Sequence, residues 1–154
     1  SARARRLGWR LAAACLALEV VMGVAAVREQ RTRERVDTLN HEIAAVVAAP
    51  DARTVTGPVR PGGTGTVVAS RSLGKAVIVM SGLPSLPSAK TYELWLMGPR
   101  PPRPAGTVRP PASGDPGPML ATGLGDATRI GLTVEPASGS PRPTTAPIFA
   151  VALS

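Results

Sequence analysis

All seventeen prolines of this chain lie at position 50 or beyond. Proline has no backbone N–H and blocks helix interiors, so the first 49 residues are open to continuous helix and the rest are not. A boundary at Pro50-Asp51 follows. With 154 residues there is room for about one domain and something extra.

The proline-free part opens "SARARRLGWRLAAACLALEVVMGVAAVREQ", with four arginines ahead of an apolar stretch, residues 11–27. Those residues span about 25 Å as helix, short of a hydrocarbon core of about 30 Å. Extension to residues 7–27 closes the gap, with Arg10 snorkelling to the headgroups and Trp9 at the interface. A transmembrane helix is the expectation, with residues 1–6 as a cytoplasmic stub. The rival is a signal peptide, which the basic start and the small residues of "GVAAV" also fit. The chain starts with serine, so an upstream part is expected, and an internal apolar segment is more often an anchor than a leader. A carboxyl at Glu19 costs about a few kcal/mol near a helix centre, and Gly23 weakens the helix further. Either the span tolerates both, or it is built to unwind, which makes Glu19 and Gly23 the candidates for a cleavage-prone point. Four arginines precede the span and Arg28, Arg31, Arg33 and Arg35 follow it, so counting positive charge gives no orientation.

Residues 28–49 continue as a juxtamembrane helix. Val36, Leu39, Ile43 and Val46 share one stripe, too short to claim a coiled coil, and His41 falls on the solvated side. From residue 50 to 154 the pattern changes to short strands between turn residues, expected at 53–56, 64–71, 75–81, 91–97, 106–109, 119–122, 128–135 and 148–153. "SRSLGKA" reads as a hairpin turn with Gly74 at positive φ. "KAVIVMS" and "TYELWLM" are apolar on both faces, as central strands are. Tyr92, Leu94 and Leu96 share one face of the second, and Glu93, Trp95 and Met97 the other. "TRIGLTVE" alternates, with Ile130, Leu132 and Val134 inward and Arg129, Thr133 and Glu135 outward. "GPRPPRPAG" and "PPASGDPGP" read as stiff surface loops. The fold class is mainly β, an antiparallel β-sandwich behind the two helical segments.

The net charge of +8 comes from sixteen arginines and two lysines, and those beyond residue 50 stand singly among prolines. Nucleic-acid binding needs a clustered basic face and, for single strands, stacking aromatics, and this chain has neither. A lone Cys15 forms no internal disulfide, and one histidine assembles no zinc site. No cofactor is expected. Beyond residue 50 no histidine activates a hydroxyl, and the carboxylates are scattered, so the chain does not read as an enzyme. Trp95 and Tyr92 form either a ligand platform or part of the core, and a central-strand aromatic favours core.

The strand "TYELWLM", the turn Pro104-Ala105-Gly106, the strand into "TVEP" and the loop "GSPRPT" before a last apolar strand resemble, in order, the C-terminal part of the anti-sigma-K factor family. The resemblance covers residues 49–153 and singles out Tyr92, Leu94, Trp95, Leu96, Glu135, Pro136, Pro143 and Thr144. It implies a single-pass membrane regulator with its β-domain outside the cell membrane. Its partners would be a sigma factor, a site-1 protease, an intramembrane protease and membrane lipid. The sigma-binding domain of such proteins has no counterpart ahead of residue 7, so the chain is expected to be a fragment. The alternative function is a membrane-tethered β-domain that binds cell-wall polymer or an envelope partner. In either case the proline-rich segment 136–147 is read as a stiff, protease-resistant loop, pinned by bonds from neighbouring backbone or from Thr144 and Thr145 to Glu135.

Overall fold

The computed structural model describes residues 2–111 and 114–153, with side chains from Met22 onward. One helix, α1 (Ala2–Val47), runs through both expected helical segments without a break. The chain divides into two compact units, one up to His41 and one from Glu42 onward. In the first unit the side chains from Met22 to His41 are all exposed, His41 included. Thr32 and Thr38 return their hydroxyls to the carbonyls of Arg28 and Glu34, and Glu29 pairs with Arg33 one turn on. Among the described residues no helix is long and apolar enough to cross a membrane. Most of the expected span, residues 7–21 with Glu19, lies outside the described side chains.

The second unit begins with the last turn of α1. Ala48 still donates to Ala44, Ala49 donates to Val46, and Pro50 ends the ladder because it has no N–H to give. Eight strands follow. β1 (Arg53–Pro58), β2 (Thr64–Ser70), β3 (Lys75–Ser81) and β6 (Met119–Thr122) form one antiparallel sheet in the order β1-β2-β3-β6. β4 (Lys90–Met97), β5 (Arg103–Val108), β7 (Arg129–Pro136) and β8 (Phe149–Ala152) form the other, in the order β5-β4-β7-β8. The two apolar-on-both-faces segments became β3 and β4, each interior to its sheet. The hairpin between β2 and β3 turns at Gly74, with φ 61°.

Val67, Ile78 and Met80 from one sheet meet Tyr92, Leu94, Leu96, Ile130, Leu132 and Phe149 from the other in a single core. Two glycines make room for the side chains of β8. A Cβ on Gly65 would come within 2.5 Å of the Phe149 ring, and one on Gly57 within 2.8 Å of Val151.

One loop reading needs correction. "GPRPPRPAG" is not wholly loop, because β5 already starts at Arg103 and carries Pro104. β5 is an edge strand, so Pro104 removes no ladder bond that the sheet needs. The expected Pro104-Ala105-Gly106 turn is instead a bulge, where the β4–β5 register shifts between Leu94 and Trp95 and Gly106 takes φ 135°.

Candidate functional site

The outer face of the β4–β7 pair gathers Glu93 and Trp95 with Thr133 and Glu135, of which the sequence pattern assigned only the last two outward. Strand alternation does turn Glu93 and Trp95 of β4, and Thr133 and Glu135 of β7, away from the core. All four are nevertheless buried, Trp95 and Glu135 completely. The cause is the segment between β7 and β8, which folds back over this face instead of standing off it. Ser140 donates its N–H to Glu93 at 2.8 Å and its hydroxyl to Glu135 at 3.0 Å. Thr144 donates its N–H to Glu135 at 2.9 Å, and its hydroxyl to the same carboxylate. Gly139 bends the chain at φ 76°, and a Cβ there would sit 3.2 Å from the Glu93 carboxylate.

Thr145 takes another partner. Its hydroxyl donates to the Val134 carbonyl at 2.9 Å and accepts the Val134 N–H at 3.2 Å. β8 reaches β7 only as far as Leu132, so this one side chain supplies what a strand partner would have given Val134.

A hydrogen-bond relay runs beneath the loop. The Trp95 indole N–H donates to the Thr133 hydroxyl at 2.8 Å, and that hydroxyl donates to Glu135 at 2.6 Å. Burial alone would raise the Glu135 carboxyl, but the bonds from Thr133, Thr144 and Ser140 overcome it and hold the group at about 2. Burial pushes the neighbouring Glu93 carboxyl up, against the Ser140 N–H bond, and the charge on Glu135 adds to the rise. A carboxylate held at about 2 is a poor base, and the loop covers both acids. The arrangement fastens a loop and presents no reacting group.

The other residues named from sequence serve the scaffold. Tyr92 lies in the core with its hydroxyl on the Pro84 carbonyl at 2.8 Å, and Leu94 and Leu96 point the same way. Pro136 ends β7 opposite Lys90, and Pro143 is half-buried in the loop. Trp95 is wholly buried yet stands outside the inter-sheet core, so it offers no open platform. Gly23 lies on an exposed stretch of α1 with open space where a Cβ would be, and Glu19 is outside the described side chains.

Sequence reading missed the meeting of Glu93 and Glu135, although a carboxylate inside "TYELWLM" was a signal that something satisfies it. It also missed a clasp on the far sheet. Asp51 accepts the Ser70 hydroxyl at 2.7 Å and the Ser72 N–H and hydroxyl at 2.8 Å each. The Ser72 N–H contributes most to holding the Asp51 carboxyl far below its usual range. Lys75 pairs with Glu42 at 3.3 Å, and Val46 is fully buried. The end of α1 is thereby fixed to the sheet that contains β3. Among the described residues, no group of three or more His, Cys, Asp or Glu side chains is placed to hold a metal ion.

Comparison with known proteins bears on the whole length. The family described as "Anti-sigma-K factor rskA, C-terminal" matches residues 9–148. An uncharacterized protein in the phr 5' region of Streptomyces griseus is 37% identical over 144 residues, covering 88% of this chain and 60% of that protein. The anti-sigma-K factor RskA of Mycobacterium sp. (strain KMS) is 36% identical over 154 residues, covering 97% and 62%. That of Mycobacterium ulcerans (strain Agy99) is 41% identical over 99 residues, covering 64% and 42%. The chain thus spans from 42% to 62% of the length of these relatives. No solved structure matches.

Proposed function

Because the chain belongs to the anti-sigma-K factor RskA family and matches its C-terminal part, we propose that it is the extracytoplasmic regulatory part of a membrane-anchored anti-sigma factor. It controls an extracytoplasmic-function sigma factor through stepwise proteolysis, first outside the membrane and then within it. The observation that carries this reading is one family match running from residue 9 to residue 148, through α1 and both sheets. Residues 7–27 anchor the chain in the membrane and residues 28–154 lie on its outer side. On this reading a separate cytoplasmic sigma-binding domain, of the kind the resemblance implies, holds the sigma factor.

On this reading the β-domain is a gate. A protease needs an extended backbone, and here residues 42–52 are held by the Lys75 and Asp51 contacts while the proline-rich loop is held by Glu135. Glu19 and Gly23 then mark where the anchored helix yields once the outer domain is gone, because cleavage within a membrane requires backbone freed from helical bonds.

Single cysteines at Thr32 and Ser138, in a Cys15→Ser background, test the topology. Both should react with an impermeant thiol reagent in intact cells. Labelling only after lysis would reverse the orientation, and a soluble, shortened product would make residues 7–27 a leader peptide.

A further inference from the structure

β1 and β8 are the edge strands of opposite sheets, and they lie against each other. Beside them opens a groove of about 300 Å³. Phe149 and Ala150 of β8 line it with Ile148 just before them, and Pro58 and Pro147 line it without an N–H to offer a ligand. Its charged lining is Arg60 and Arg129. Both are exposed, and among the described residues neither guanidinium enters an ion pair or a side-chain hydrogen bond.

Arg53 and Arg142 are unpaired too among the described residues but line no groove with them, whereas four other arginines of the domain are engaged. Arg100 is committed to Asp126, and Arg71, Arg103 and Arg109 donate to loop carbonyls. The stems of the free pair are nonetheless placed. The Arg60 N–H donates to the Ile148 carbonyl at 2.9 Å, and Arg129 is registered opposite Met97 of β4 and Ala152 of β8. Fixed backbones, free guanidinium groups and an apolar lining without competing acids describe a receptor for an oxyanion that carries an apolar body.

We propose that this groove binds a small amphiphilic oxyanion, a carboxylate or phosphate head held by Arg60 and Arg129 with a short apolar body along Ile148 and the two prolines. The guanidinium fork donates two parallel bonds to either head group. A space of about 300 Å³ is at the lower end of the range for small-molecule pockets, so the ligand is small. The site lies wholly within the β-domain and stands whether or not residues 7–27 cross a membrane.

The test is an NMR titration of the full ¹⁵N-labelled chain in neutral micelles with four probes. N-acetyl-alanine and n-butyl phosphate carry a head and a body, inorganic phosphate carries the head alone, and N-acetyl-alanine amide lacks the charge. At least one of the first two should shift the Ile148 and Ala150 amide signals saturably, and whichever binds identifies the head group. The amide and inorganic phosphate should each bind about tenfold more weakly or worse, a loss of about 1.4 kcal/mol. Arg60→Gln and Arg129→Gln should each weaken binding by about tenfold, with melting unchanged because both side chains are exposed. The proposal fails if neither amphiphile saturates, if the amide or inorganic phosphate binds equally well, or if either variant retains full affinity.

Discussion

Replacing Glu135 by Gln isolates what its charge contributes. Gln has nearly the same shape, and its carbonyl oxygen can accept the Thr133 hydroxyl and the Thr144 N–H as Oε1 does now. Its NH₂ group would donate to Ser140 and Thr144, whose hydroxyls rotate to accept. The loop therefore stays in place while the charge is lost. The drop from an ordinary 4.5 to about 2 corresponds to about 3 kcal/mol in favour of the charged form, at about 1.36 kcal/mol per pH unit. The folded value lies below the unfolded one, so this stability is complete above about pH 5 and is lost as pH falls toward 2. The variant behaves like a chain already protonated at this position. Urea unfolding followed by tryptophan fluorescence should show wild type ahead by about 3 kcal/mol at pH 7, with the gap closing toward pH 2. A gap of constant size across that range would assign the effect to packing, and no gap at pH 7 would refute the reasoning outright.

Glu93→Gln should have the opposite sign. Its folded carboxyl lies above the ordinary value, so the ionised group opposes folding as pH rises, and the variant should be at least as stable as wild type at pH 7 in the same urea assay. Trp95→Ala should cost about 3–5 kcal/mol, the usual range for a buried aromatic, whereas Trp95→Phe should cost about 1 kcal/mol for the donor lost to Thr133. A loss well under 1 kcal/mol for the alanine variant would mean that the indole is not buried. Gly65→Ala should destabilise by about 1–3 kcal/mol, because the new methyl meets the Phe149 ring and the Met80 sulfur. Thermal melts of these variants check the last two expectations.

The strands were readable because their signals are local. Turn glycines and prolines bounded 75–81 and 119–122 at the observed ends of β3 and β6, and Gly74 marked its hairpin. β3 and β4 read as apolar on both faces for a physical reason that the structure supplies. Val77 and Trp95 are buried although they face away from the inter-sheet core, and the loop after β7 folds across the outer side of β4. The same local rule failed for Thr133 and Glu135. Alternation assigns a side chain to a face, but whether that face meets solvent depends on a loop that folds back across it. Glu93 and Ser140 are 47 positions apart, and no periodicity reports a contact at that distance. Arg60 and Arg129 were likewise invisible as a pair, since only the meeting of two sheet edges brings them to one groove.

The gate reading is tested most directly in a chimera. The part of the Mycobacterium relative that lies outside the aligned stretch would be joined to this chain and expressed with the sigma factor it controls and a sigma-dependent reporter. With residues 1–154 intact the reporter should stay low. With the chain ended at Ala49, intramembrane cleavage should follow, and the reporter should rise in cells that carry the intramembrane protease and stay low in cells that lack it. A reporter that stays low in both strains after the β-domain is removed would contradict the account.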